Sequence, residues 1–358
     1  MLLVTFGSIC NAAQPQSQRS FPSWRIASSI HTGFLIHHHN NMYVLSERRP
    51  YAAELLLTKR TYGDKDWHSF FGYPEYGVSL MMFDFGSPTY LGKAYGMYPF
   101  MNFFLSNIDK RLNIAVKVGG GAVYVDKIFD RRTNYKNVTI STHLNALLSL
   151  QFNAHVRITD ELSAFTGAGL THFSNGTIKK PNAGLNFITF NAGLGYAFGD
   201  IRPLISTETA EAFVRKWNYR MYLSGGIKEI APIGGNKYLT SGLSLELSRK
   251  HRSFTRFGGT LDVLYDSSDY VSLQNEDISR LQTVKTGLAA GYELMFGKLS
   301  AIVQTGVYLY AKNTENGITY QRLALRYAVN TKANIHFGLK TQLGQADYIE
   351  LAYGHKIR

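Results

Sequence analysis

The chain has 358 residues, rich in aromatics (13%) and glycine (33 residues), poor in proline (9), with a formal net charge of +13. Beyond the N-terminus no uninterrupted apolar stretch approaches the roughly 18 residues of a membrane helix, which leaves strands as the only candidate means of crossing a bilayer. The positive charge is scattered over turns and polar strand faces and forms no single stripe, so it argues against nucleic acid; it fits an anionic glycolipid if the chain sits in an outer membrane, and solubility of loops and lumen explains it at least as well.

Met1 to Ala13 is apolar and ends in small residues, the pattern of a secretion signal cleaved near Ala12 or Ala13. The only cysteine, Cys10, lies inside it, so the mature chain is expected to carry no disulfide and no cysteine-based metal site. His37, His38 and His39 are adjacent, and strand alternation turns the middle one away from its neighbours. They read as a loop-edge cluster, and neither a metal nor an organic cofactor is expected. Gly119, Gly120 and Gly121 lack the helix start and lysine of a phosphate loop and read as a strand kink. Asn137-Val138-Thr139 fits a glycosylation sequon, a motif that carries little weight on its own.

Residues 161–174 alternate: Leu162, Ala164, Ala168 and Leu170 share a face, opposite Ser163, Gly167, Gly169 and Thr171. The same period places His172 and Ser174 on the apolar, outward face. The following segment, 184–198, puts Ile188, Phe190, Ala192, Leu194, Tyr196 and Phe198 on its even face together with Asn186. Antiparallel pairing across the intervening loop brings Asn186 opposite His172. Similar alternation recurs over 239–249, 254–265, 283–296 and 334–340, and again to residue 354. Runs of about ten residues, apolar outside and polar inside, predict an all-β, antiparallel transmembrane barrel of outer-membrane type. The count is about sixteen strands. Twelve or fourteen stay open, because 25–38 and 319–328 are the weakest segments. Short connections near 106–109, 157–161, 250–253, 296–298, 329–332 and 343–346 are assigned to the periplasmic side, and long ones near 39–50, 124–137, 175–183, 267–282 and 312–318 to the outside. One barrel domain spans 14–358, with 199–216 a periplasmic connection between its halves.

The segment around 172–186 carries chemistry. His172 lies two residues from Ser174 on one face and can act as its base. Asn175 and Asn182, with Gly176 in the same loop, offer donors for an oxyanion. Asn186 can hold the imidazole in one tautomer, as an amide does in Cys-His-Asn hydrolases. A headgroup-layer cluster of polar residues is the plain alternative for each residue alone; the five together at fixed spacing point to function.

His172-x-Ser174-Asn175-Gly176, followed by Pro181-Asn182-x-Gly184, resembles the lipid A 3-O-deacylases of the PagL type, a family of outer-membrane serine esterases. The close resemblance covers roughly 160–198. It implies His172 as base, Ser174 as nucleophile, Asn175 and Asn182 as oxyanion donors, and lipid A or lipopolysaccharide of the outer leaflet as partner. The family has a glutamate twelve residues after the serine where this chain has Asn186, and its best-known members have eight strands. Asp84, near the outer end of its strand, is the one acidic substitute worth considering; Asp160 and Glu161 fall at the opposite end. The expected activity is hydrolysis of an ester-linked, 3-O hydroxyacyl chain. A non-catalytic barrel (pore, porter or adhesin) and a phospholipid esterase are the alternatives, and the inward Arg256, Asp262, Glu293, Lys340 and Glu350 fit either a wet lumen or a salt-bridged plug.

Overall fold

Alternating apolar and polar residues can satisfy every backbone group in hydrocarbon only by closing into a barrel. The computed structural model, which describes residues 19–205, 216–273, 278–315 and 317–357, shows that closure. The strands are β1 (Ser20–Leu35), β2 (Tyr51–Arg60), β3 (Glu75–Asp84), β4 (Lys93–Phe104), β5 (Leu112–Val125), β6 (Leu144–Arg157), β7 (Leu162–Ser174) and β8 (Leu185–Pro203). They continue as β9 (Trp217–Glu229), β10 (Lys237–Arg252), β11 (Thr255–Asp266), β12 (Lys285–Phe296), β13 (Leu299–Tyr310), β14 (Thr319–Ala328), β15 (Ala333–Gln342) and β16 (Gln345–Lys356). The expected sixteen are present, including the two weak segments. They close differently from the single barrel anticipated: β1 pairs with β8 and β9 with β16, giving two barrels of eight. The first thirteen residues lie outside the described part, as does 206–215, while the start of the anticipated 199–216 connection continues β8 to Pro203.

In the first barrel, the connections 36–50, 85–92, 126–143 and 175–184 gather at one end. The other end is not uniformly short, because 61–74 there holds a helical turn (Asp66–Phe70). In the second barrel the turn between β15 and β16 falls at the same end as the long connections, not with the short ones as expected. Strand parity decides this: consecutive hairpin turns must alternate ends, whatever their length.

The outer wall of the first barrel is apolar, with Ile30, Leu55, Leu80, Met97, Phe152, Phe190 and Leu194 all exposed. That is the inverse of a water-soluble barrel and suits hydrocarbon. Inside, eight strands leave just enough room for side chains. Glu54 is buried and held by Lys117 (Nζ–Oε1 2.6 Å), His31 (Nε2–Oε2 3.2 Å), Ser79 (2.5 Å) and the Tyr98 hydroxyl. The glycine triplet makes room for that tyrosine: a Cβ at Gly119 or Gly121 would meet the Tyr98 side chain at 2.7 Å. Nearer the far end Glu75 is clamped between Arg25 and Arg60 (Nη2–Oε1 2.6 Å).

The second barrel is plugged in the same way. Arg326 bridges Glu246 (Nη2–Oε2 2.7 Å) and Glu293 (Nη1–Oε2 3.3 Å), Arg256 also meets Glu293 (2.9 Å), and Arg322 lies 3.4 Å from Asp262 and pairs with Glu350. Lys340 pairs with Asp347 (2.8 Å). All five inward residues singled out from the sequence thus belong to ion pairs, and the plug is the reading that holds.

Removing one partner of a buried ion pair leaves the other uncompensated. Glu54→Ala is therefore expected to cost about 3–5 kcal/mol of barrel stability, read as a lowered urea midpoint of vesicle-reconstituted protein. A loss under about 1 kcal/mol would contradict a structural role for the plug.

Candidate active site

β7 and β8 pair in the register the alternation predicts, with His172 directly opposite Asn186. Each outward polar residue is flanked by an inward aromatic that anchors it. Phe173, between His172 and Ser174, and Phe187, after Asn186, are fully buried and pack with Phe83 and Phe85 at centroid distances of 4.9–5.5 Å. The polar residues of this hairpin give no hint of the aromatic layer, whose sequence signal is the odd, inward-facing positions of Phe173 and Phe187.

On the outer wall His172 Nδ1 lies 2.7 Å from Asn186 Oδ1. An amide oxygen only accepts, so Nδ1 carries the hydrogen and Nε2 keeps its lone pair. The carbonyl of Asn186 in turn accepts from the Ile36 N–H at 2.8 Å, which ties the strand to the chain leaving β1. Ser174, the last residue of β7, is 6% exposed, and its strand neighbour on β6 is the small Ala146. Its hydroxyl forms no hydrogen bond among the described residues. Gly184 brings serine and histidine together: a Cβ built there would lie 3.0 Å from His172 Cε1 and 3.6 Å from Ser174 Cβ. Gly184 also has φ +75°, so both its conformation and its space exclude a side chain.

The loop residues are held by one another. The Asn175 main-chain N–H donates to Asn182 Oδ1 (3.0 Å), and the Asn175 amide donates to Ser141 Oγ (3.0 Å). Gly176 follows with φ +60°. Hence Asn182 stabilises the loop through its oxygen, which keeps its amide nitrogen as a donor. The connection 126–143 braces the site further, since Val138 and Thr139 carbonyls accept from Ala183 (3.2 Å) and Gly184 (3.1 Å). Ser141 and these two carbonyls were not legible, because they reach the site from another hairpin.

The other singled-out residues are engaged elsewhere. Asp84 pairs with Arg48 (2.8 Å) and accepts from the Gly86 N–H (2.9 Å), so it serves the connection 85–92 and not His172. Asp160 lies 3.8 Å from Arg19 at the far end. His37 meets Ser46 (2.7 Å), while His38 Nε2 donates to the Ala183 carbonyl (3.0 Å) and so steadies the site loop. Asn137 is fully buried, its amide oxygen accepting from Thr139 Oγ1 (2.8 Å), an organiser of its loop.

Fold and site together define a β-barrel that carries an amide-oriented histidine beside a serine on its outer wall. A family model described as lipid A 3-O-deacylase (PagL) matches residues 52–195, and one described as acyloxyacyl hydrolase, C-terminal domain, matches 217–358. The first covers β2 to β7 and most of β8, the second all of the second barrel, and the chain belongs to the PagL family of lipid A deacylases. No curated protein matches the chain. Among solved structures, a mutant porin of Rh. blastica is 8% identical over 94% of this chain and 99% of its own, with a TM-score of 0.19. CdiB from Acinetobacter baumannii is 6% identical over 93% of this chain and 60% of its own, also at 0.19.

Gly184→Ala is expected to cut ester hydrolysis at least about tenfold, equivalent to about 1.4 kcal/mol in the barrier, by crowding His172 and straining the loop. The heat-dependent gel shift of the folded barrel should persist. Unchanged turnover would show that the ring position does not matter.

Proposed function

We propose that the protein is an outer-membrane serine esterase that removes an ester-linked acyl chain, the 3-O hydroxyacyl chain, from lipid A. The observation that carries this reading is the 2.7 Å contact between His172 Nδ1 and Asn186 Oδ1, two residues along the outward face from Ser174. The family match supplies the substrate class.

In this reading the Ser174 hydroxyl attacks the ester carbonyl as its proton passes to His172 Nε2. Apo hydrogen bonds at such sites are often long, so a small rotation of Ser174 completes the contact when substrate binds. Asn186 holds the tautomer that leaves Nε2 free to accept; being neutral, it stabilises the imidazolium less than a carboxylate does. The Asn182 amide nitrogen, with the Asn175–Gly176 segment, offers donors to the oxyanion. The proton on Nε2 then goes to the departing sugar hydroxyl. Water, deprotonated by the same nitrogen, attacks the acyl-serine to release the fatty acid and restore Ser174. The outward-facing, apolar wall supports action on a substrate that never leaves the bilayer, which is also why we place the protein in the outer membrane. Both interiors are filled by ion-paired side chains, an arrangement that speaks against a pore.

Mass spectrometry of lipid A from expressing cells is expected to show loss of one hydroxyacyl chain with the wild type and intact lipid A with Ser174→Ala at equal surface abundance. Asn186→Ala is expected to lower the rate at least about tenfold, and Asn186→Glu to retain or raise it. Unmodified lipid A from folded wild-type protein would overturn the reading, and release of an acyl chain from phospholipid alone would redirect it to that substrate.

A further inference from the structure

The connection between β5 and β6 is joined to the serine–histidine edge by three hydrogen bonds: Asn175 Nδ2 to Ser141 Oγ, and the N–H groups of Ala183 and Gly184 to the Val138 and Thr139 carbonyls. It is also fastened on its far side. Asn134 and Asn137 both donate to the Tyr90 carbonyl, at 2.9 and 3.1 Å, and Asn134 donates to the Ile128 carbonyl at 2.8 Å. Asp130 and Asn134 close a short antiparallel bridge. This arm is braced, so groups on it are held in place relative to Ser174.

Its tip carries Arg131 and Arg132, both exposed, and the exposed Lys136 follows on the same connection, its Nζ 3.4 Å from the Tyr90 hydroxyl and 5.6 Å from that ring's centre. The arm's two carboxylates accept mainly from main-chain N–H groups, and Asp130, which also accepts from Thr133 Oγ1 (2.9 Å), feels the charge of Arg132 without pairing with it. Asp126 accepts from Lys93 (2.7 Å), and Asp130 accepts from Arg132 (2.9 Å) and Thr133 (2.8 Å). Lys127 is set apart, since its Nζ donates to the Pro88 carbonyl (2.5 Å) and Glu47 lies close enough to feel its charge. Among the described residues no ion pair within 4.0 Å involves Arg131, Arg132 or Lys136. Three exposed cations therefore stand on the connection that is hydrogen-bonded to the loop carrying the site, whose proposed substrate has its ester at the membrane edge.

We propose that Arg131, Arg132 and Lys136 form a recognition site for the phosphate monoesters of the glycolipid headgroup, seating the headgroup on the arm while the ester lies over Ser174. Guanidinium forks match phosphate oxygens in a bidentate manner, and lysine adds a point charge. The choice of ligand rests on the deacylase reading above; the binding itself can be measured without turnover.

The test uses the full chain in neutral detergent micelles with Ser174→Ala, so that bound lipid is not consumed. Bisphosphorylated lipid A and the same lipid after enzymatic dephosphorylation are titrated calorimetrically, with and without R131Q/R132Q/K136Q. The triple variant is expected to raise Kd for the phosphorylated lipid about tenfold and to leave the dephosphorylated lipid within about twofold. The difference should shrink in about 1 M NaCl, where the Debye length is about 3 Å. Equal Kd changes for both lipids, or none for either, would overturn the proposal. Arg131→Gln alone, at the exposed tip, repeats the test at smaller amplitude if the triple variant folds poorly. Wild-type protein that releases no fatty acid, yet shows the phosphate-dependent Kd, would sink the esterase reading and leave the headgroup arm standing.

Discussion

The register between β7 and β8 is the constraint on which the site depends. With a side-chain period of two, a slip of one residue would carry His172, Ser174 and Asn186 inward and expel Phe173 and Phe187 to the wall. The four-phenylalanine cluster opposes that slip, because burying those rings inside the barrel is possible in only one register. The apolar interior thus sets the position of a polar exterior site. The outward residues are positioned by this inward layer, by the His172–Asn186 contact and by the close approach of Gly184.

Below that aromatic layer the first barrel changes character. Glu54, Lys117, His31 and Tyr98 form a closed polar group in the interior, a place where unpaired charge would be prohibitive. The result is an interior filled by paired side chains, with no need for water to satisfy the charge of Glu54. The proposed mechanism needs such support, because only an amide orients the imidazole. The connections at the rim add to it, since the Ser141, Val138 and Thr139 contacts bring a second hairpin against the loop that carries Asn175, Asn182 and Gly184.

Much of this was legible in the residues. The alternation of 161–174 and 184–198 predicted the outward face of His172, Ser174 and Asn186 and the pairing of the last with the first. It also predicted sixteen strands. It did not say how they close, because the β1–β8 and β9–β16 pairings join segments far apart in sequence, and an apolar outer face looks the same in one barrel or two. Loop length misled at 343–346, where strand parity overrides it. Ser141 gave no signal, since its role comes from contact with Asn175 across hairpins. Asn137, read as a sequon, is a buried loop organiser for the same reason.

The central claim is that Ser174 is a nucleophile made reactive by the histidine that Asn186 orients. The most direct measurement is reaction of the folded protein with a fluorophosphonate, followed by peptide mapping, in wild type and His172→Ala. An adduct on Ser174 is expected in the wild type and none in the variant. An adduct on a different serine, or equal labelling of Ser174 without His172, would contradict it.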